Sequence, residues 1–293
     1  MKKICNFGIS FLDAVINGIY DEDLLIIGAE SGIGKSTIAE IIAFSCVKQG
    51  VKPALFSLEN FAGNTRDKKA FELWKIGTKR WNTKFREFVD ILNNDPTSVD
   101  EYMSEAEKRI ANMDLIERSN KDYTIDALAK DFKRVVDDGC KVILLDHLDY
   151  FDAYEKDNDL QHTRRLMKEI RRLQDEYKVA VIAFSQLRKN VDRNIKVPTY
   201  DDLYGSGDKV KQATLVLMVA RSEEEPVNGV YQTYMNLSKD RFGVKCACKI
   251  GFDVKTGNYE NKFGIVRVIN RGTEVIDVDC IEPIKKKTEN IWK

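Results

Sequence analysis

The chain has 293 residues, 43% hydrophobic and 32% charged, with 47 basic residues against 47 acidic ones. This is enough apolar material for one large domain or two small ones, and it excludes a disordered or fibrous chain. A formal net charge of zero excludes bulk attraction to polyanions, so any nucleic-acid contact must come from local basic clusters.

No apolar run approaches the ~18 residues of a membrane span. The start, MKKICNFGIS, lacks the apolar core of an export signal. A cytoplasmic protein with no membrane association is expected. Cysteines at 5, 46, 140, 246, 248 and 280 are scattered, and His147 and His162 are the two histidines. Reduced thiols are expected, with neither disulfides nor a zinc centre.

In chain order, the first strong element is the strand LLIIG (24–28), which runs into AESGIGKST. The stretch nearly fits the phosphate-loop pattern G-x-x-x-x-G-K-[ST]. Ala29 stands where the first glycine belongs, and Gly28 lies one place early. A phosphate loop needs converging backbone N–H groups, a lysine for the terminal phosphates, and a hydroxyl for magnesium at the start of the next helix. Gly32, Gly34, Lys35 and Ser36 supply these. Ala29, Glu30, Ser31, Gly32, Ile33, Gly34, Lys35, Ser36 and Thr37 are therefore the candidate nucleotide-binding residues. A merely structural glycine turn leaves Lys35 unexplained, because a cation at a helix start opposes the helix dipole. Ala29 is expected to be far enough from the phosphates for its methyl group to be tolerated.

The strand PALFSL (53–58) ends beside Glu59, a candidate base or an ordinary strand-end carboxylate. Residues 60–120 read as mostly helical and polar. Ile125, Leu128, Ala129, Phe132, Val135 and Val136 follow helical spacing over 124–138, with Thr124 as N-cap. KVILLD (141–146) places Asp146 at a strand's C-terminal end, where ligands of α/β sheets bind, as a magnesium candidate. A second helix is expected over 159–177. VAVIAF (179–184) leads to Gln186, which either senses the γ-phosphate or caps a loop. ATLVLMVA (213–220) and YQTYMNLS (231–238) complete the apolar strands. Beyond them, CKIGFDVKTGNYE and GIVRVINRGTEVIDVD alternate apolar and polar residues around turns at 256–258 and 271–272 and read as antiparallel hairpins. A basic tail, Lys285–Lys287, follows. The fold class is α/β: a mostly parallel central sheet flanked by helices, with antiparallel strands at the C-terminal end.

The succession GISFLDAVINGIYDEDLLIIGAESGIGKST, LFSLEN, VILLDHLDYF, VAVIAFSQLRKNVDR, YGSG and LSKDRFG resembles the RecA-type motor domain of DnaB-type replicative helicases. Order and spacing carry the resemblance, from about Ile9 to about Glu260, and the GIGKST half is shared with RadA and KaiC ATPases. The resemblance implies a RecA-like P-loop NTPase over 1–260, followed by a β-extension and basic tail over 261–293. It implies an ATP hydrolase and DNA helicase that uses ATP and Mg²⁺. Lys35 and Ser36 then hold phosphates and magnesium, with Ser36 and Asp146 as the metal residues. Glu59 is the catalytic base, Asp146 the Walker B acid and Gln186 the sensor. Lys239 and Arg241 match the family's K-x-R pair, whose arginine reaches into a neighbouring subunit's ATP.

A finger supplied in trans implies a homo-oligomer, in this family a hexameric ring on single-stranded DNA in DNA replication, with a primase or loader as further partner. Arg188, Lys189, Arg193 and Lys196 cluster within nine residues after Gln186 and suit a DNA-facing loop, although a solvated charged loop is the alternative. Tyr204, Gly205, Ser206 and Gly207 stand where many family members have R-E-S-G. The arginine is lost, while backbone N–H groups remain to contact DNA and the Tyr204 ring either stacks on a base or serves as a packing residue. The family's N-terminal collar and linker helix are expected to be missing, and residues past 260 extend beyond the usual end. The competing expectation is a RecA/RadA/KaiC-like ATPase that remodels DNA or a protein partner without unwinding.

Overall fold

The computed structural model describes residues 1–61, 63–118, 123–153, 157–188, 195–243 and 245–278. The elements in chain order are β1 (Lys3–Cys5), α1 (Ser10–Val15), β2 (Ile19–Tyr20), β3 (Leu24–Ala29), α2 (Lys35–Lys48), β4 (Pro53–Phe61), α3 (Asn64–Thr78), α4 (Phe85–Asn94), α5 (Asp100–Ile110) and β5 (Asp114–Arg118). They continue with α6 (Ile125–Asp137), β6 (Val142–Asp146), α7 (Asp159–Tyr177), β7 (Ala180–Gln186), α8 (Ser206–Gln212), β8 (Leu215–Arg221), β9 (Val230–Asp240), β10 (Cys246–Asp253), β11 (Asn258–Ile269) and β12 (Glu274–Asp277).

Ten of these strands form one sheet in the order β12-β11-β10-β9-β8-β3-β7-β6-β4-β5. The half from β8 to β5 is parallel, and β9 to β12 pair antiparallel. The parallel strands are the continuous apolar runs of the sequence, because helices cover them on both faces. Along β3, Leu25, Ile27 and Ala29 face one core together with α2 and the N-terminal segment. Leu24 and Ile26 face the other core, with α6 and α7. That alternation is the period of two that a strand imposes. Each Leu or Ile so buried stabilises the fold by roughly 1.5–3 kcal/mol.

Helices α6 and α7 lie where the apolar spacing put them. The Thr124 hydroxyl accepts from the Ala127 N–H at 3.2 Å, which caps α6. Asn158 and Gln161 form a reciprocal capping box at the start of α7. The stretch 60–120 does hold three helices, with a small core of their own around Phe71, Trp74 and Phe88. It also contains β5, a parallel edge strand that the helical reading missed. With five residues, charged ends and only Leu115 and Ile116 apolar, β5 carries too little pattern to stand out.

The N-terminal residues pack into the domain. Phe7 is fully buried, and the Asp13 carboxylate accepts from the Phe7 and Gly8 N–H groups. Cys5 and Cys46 place their thiols 3.5 Å apart, as a hydrogen-bonded contact. At the other end β11 runs unbroken through residues 260 and 261, and β12 pairs with it. Both expected hairpins are present, with Gly257 and Gly272 in left-handed backbone at their turns.

Candidate nucleotide and nucleic-acid site

The parallel register gathers the candidate residues at one edge. Ala29 pairs with Gln186, and Ser57 pairs with Asp146. The strand ends carrying the phosphate loop, Glu59, Asp146 and Gln186 therefore lie side by side at the C-terminal edge of the sheet, which is the ligand edge of open α/β folds.

Gly32 and Gly34 take φ of +82° and +104°, which a side chain would strain. Gly34 is the N-cap of α2, and no side chain caps that helix. The first N–H groups of α2 are thus left for a ligand, and they favour an anion. Lys35 is buried and donates from Nζ to the carbonyls of Ala29 at 3.2 Å and Glu30 at 3.0 Å. Burial pushes its ammonium below the usual lysine range, and the Asp146 and Glu59 carboxylates oppose that shift.

The displaced glycine has a packing role. A Cβ on Gly28 would lie 2.4 Å from Leu203 Cδ2 and 2.8 Å from Met218 Cε. Ala29, by contrast, buries its methyl group in the core beneath the loop. The alanine is accommodated because it points into the sheet packing, so the shifted pattern leaves Gly32, Gly34 and Lys35 in a glycine turn at the start of α2.

Asp146 is 2% exposed, and its Oδ1 has no partner. Burial raises its carboxyl, and a hydrogen bond from the Ser36 hydroxyl works the other way. A buried carboxylate oxygen without a partner, beside a hydroxyl at a helix start, is a donor set that suits a hard cation such as Mg²⁺. Among the described residues no group of three or more His, Cys, Asp or Glu side chains forms a metal cage. Phosphate oxygens and water would have to supply the remaining ligands, as Mg²⁺ prefers. Glu59 is exposed beyond the end of β4's buried stretch. A cavity of about 520 Å³ opens beside the loop, with Glu30, Ile33, Leu187, Lys196 and Arg221 in its wall. That volume is in the range of small-molecule sites.

Gln186 belongs to a half-buried network. Its Nε2 lies 3.1 Å from His147 Nε2, and its backbone N–H donates to Asp149 Oδ2 at 2.9 Å. His147 Nδ1 lies 3.2 Å from the same carboxylate oxygen. The Asp149 backbone N–H also donates to His147 Nδ1 at 3.3 Å, so the ring is held by Asp149 and Gln186 together. Lys209 is 2% exposed and reaches Asp149 Oδ1 at 3.0 Å and Ser185 Oγ at 2.8 Å. Burial alone would raise the Asp149 carboxyl. The bonds from His147 and Gln186 and the Lys209 charge outweigh it, holding the group well below the usual carboxylate range. His147, Asp149 and Lys209 escaped the sequence reading. Lys209 sits in SGDKVKQ, which looks like a solvated turn, and nothing local marks it as buried.

The expected DNA-facing residues divide. Arg188 Nε donates to the Leu203 carbonyl at 3.1 Å, and the Tyr204 N–H donates to the Gln186 carbonyl at 3.3 Å. The base of the loop after Gln186 and the Tyr204–Gly207 turn are therefore joined. Tyr204 is 40% exposed, and its hydroxyl donates to the Asp159 carboxylate. Gly205, at φ +62°, is the N-cap of α8, and Ser206 and Gly207 open that helix. Lys196 is exposed beside the cavity. Lys189 and Arg193 lie outside the described residues.

Lys239 and Arg241 are not at this edge. β9 runs antiparallel to β8, with Leu215 opposite Asp240, and Leu215 pairs with Leu25 near the start of β3. Four residues of β3 therefore separate that level from the loop, roughly 13 Å along the strand. The Arg241 side chain is exposed there. Lys239 instead turns inward and donates to the carbonyls of Val210 and Ala213 at the end of α8, satisfying groups the helix leaves open.

No helix among the described residues is long and apolar enough to cross a membrane. Comparison with known proteins gives a family. The model of the DnaB-like helicase C terminal domain matches residues 5–261. The chain is 25% identical over 265 residues to the probable plasmid replicative DNA helicase of Chlamydia muridarum, covering 85% of this chain and 55% of that protein. It is 25% identical over 280 residues to the probable replicative DNA helicase of Trieres chinensis, covering 87% and 56%. The chain thus spans about half the length of these curated relatives. Among solved structures, an ATPase domain superposes with a TM-score of 0.70 at 19% identity, over 89% of this chain and 92% of that one. A DnaB-like replicative helicase studied with its primase superposes equally well over 88% of this chain and 62% of its own, which shows a shared fold. The match across residues 5–261, on a RecA-like sheet with a phosphate loop at its ligand edge, makes the chain a member of the DnaB-like helicase C-terminal domain family.

Proposed function

We propose that the chain is the ATP-hydrolysing motor of a DnaB-type DNA helicase, coupling hydrolysis between subunits to movement on single-stranded DNA during replication. The observation that carries this reading is the convergence of Lys35, Ser36, Glu59, Asp146 and Gln186 at one sheet edge, within a chain of this family. Lys35 and the free N–H groups of α2 bind the phosphates. Ser36 and Asp146 hold Mg²⁺, which when bound neutralises charge on the phosphate oxygens. Glu59 takes a proton from the attacking water. Gln186, bonded to His147, senses the terminal phosphate.

Arg241 lies about 13 Å below its own phosphate loop along the strands. That distance supports a role in trans, on a neighbouring copy's nucleotide, and hence a ring of copies. Arg188, Lys196 and the Tyr204–Gly207 turn then face single-stranded DNA. The expected further partner, a primase or a loader, belongs to the same reading.

The experiment is steady-state ATP hydrolysis and fork unwinding by the purified protein, with Glu59→Gln and Arg241→Ala beside it. The parent separates strands with ATP. Arg241→Ala loses roughly 10³-fold in turnover while nucleotide affinity stays near the parent's, as for other arginine fingers. Hydrolysis stimulated by DNA without strand separation selects a remodelling ATPase instead. Unchanged hydrolysis in Glu59→Gln removes Glu59 from the role of base.

A further inference from the structure

Lys209 has no obvious reason to be a lysine. It lies on the inner face of α8 with its ammonium buried, where an aliphatic side chain would pack without a partner. Lysine is almost never found so deep unless paired. Its partner is Asp149, in the 3₁₀ turn that follows β6, and the pair is completed by the Ser185 hydroxyl on β7.

The geometry joins three elements through one carboxylate. Asp149 Oδ1 holds α8 through Lys209. Asp149 Oδ2 holds the end of β7 through the Gln186 N–H and stands beside His147, which touches the Gln186 side chain. The Tyr204–Gly207 turn leads straight into α8, so whatever moves the helix moves the turn. An apolar contact lets a helix slide by small steps. A pair whose ammonium is buried does not, because separating it strands the Lys209 charge in a low-dielectric interior.

We propose that Lys209 and Asp149 form a half-buried ionic strut that makes α8 and the Tyr204–Gly207 turn follow the Gln186 end of β7, so that nucleotide and nucleic acid act on each other through it. Both are positioning residues. The proposal rests on the reading that nucleotide bound at Lys35 acts on Gln186. The coupling is reciprocal: a ligand on the turn alters nucleotide affinity by the same factor as the reverse.

The test is hydrogen exchange of the segment 203–213 in the full chain, with and without a non-hydrolysable ATP analogue and Mg²⁺. Binding of the analogue is followed separately by fluorescence. In the parent, the analogue slows exchange in that segment. The double variant Lys209→Met/Asp149→Asn removes both charges together and keeps an acceptor for the Gln186 N–H. It binds the analogue as the parent does but loses the exchange response, whereas Lys209→Arg retains it. Lys209→Met alone, which strands no ammonium and leaves the partly exposed Asp149 carboxylate to solvent and the Gln186 N–H, is the second variant should the double one fail to fold, and it also loses the response. A double variant that folds and responds like the parent overturns the strut, since the pair would then only hold the fold. A parent that binds the analogue without any change in 203–213 overturns it as well. A parent that binds no nucleotide removes the nucleotide reading and the strut with it.

Discussion

Two turns at the same edge of the sheet are built in opposite ways. The phosphate loop is local. Its shape follows from Gly32 and Gly34 in left-handed backbone, and its lysine bonds to carbonyls within its own loop. The Tyr204–Gly207 turn is held from outside: by Asp159 on α7, by Gln186 on β7 and, through Lys209, by Asp149 after β6. Gly28 is where the two meet, since Leu203 lies against its bare Cα. A turn made from its own backbone tolerates changes around it. A turn made from distant partners changes with each of them.

The largest expected effect tests the local side. Lys35→Ala removes the one ammonium in the loop and lowers ATP turnover by roughly 10²–10³-fold or more, judged by the loss of other transition-state donors. The melting temperature moves little, because the loop's glycines hold its form. A variant with normal turnover would take the chemistry away from this loop. Next comes the meeting point. Gly28→Val drives a branched side chain into Leu203 and Met218 and costs about 2 kcal/mol by overpacking, read as a lower urea midpoint. Because Leu203 precedes Tyr204, the same variant also disturbs the second turn. Intact stability would mean that the close approach is easily relaxed.

Smaller effects sharpen the non-local side. Tyr204→Ala weakens binding of a fluorescent single-stranded oligonucleotide by about 1–2 kcal/mol if a base stacks on the ring. Tyr204→Phe keeps the ring, loses the bond to Asp159, and leaves that affinity near the parent's. Equal losses in the two variants would mean that the hydroxyl, not the ring, holds the turn in place. The smallest effect is the most counter-intuitive. Ala29→Gly restores the usual phosphate-loop pattern, yet it deletes a buried methyl group and frees the backbone, costing about 1 kcal/mol. Nucleotide affinity stays unchanged. A gain in either quantity would show that Ala29 is a compromise.

Much of the candidate site's placement was legible before the fold. Lys35, Ser36, Asp146, Glu59 and Gln186 each follow or end an apolar run, and a run of Leu, Ile and Val is strong evidence for a buried parallel strand. β5 was not legible, because an edge strand half open to solvent carries little pattern. The inward turn of Lys239 was not legible either. Its partners, Val210 and Ala213, are separated from it by most of β8 and β9.

By itself the amino-acid sequence determined the strand runs, the two capped helices, the glycine loop and the order of motifs that mark the family, because these depend on neighbours a few residues apart. Only the tertiary structure decided that Gly28 makes room for Leu203, that Arg241 lies near the opposite strand ends from its own loop, and that Lys209 is a buried cation held by Asp149. The physical reason is that burial and charge pairing join residues from separate elements. The parallel register brings β6, β7 and α8 together, and nothing in the seven residues of SGDKVKQ shows which side of the helix will meet a carboxylate.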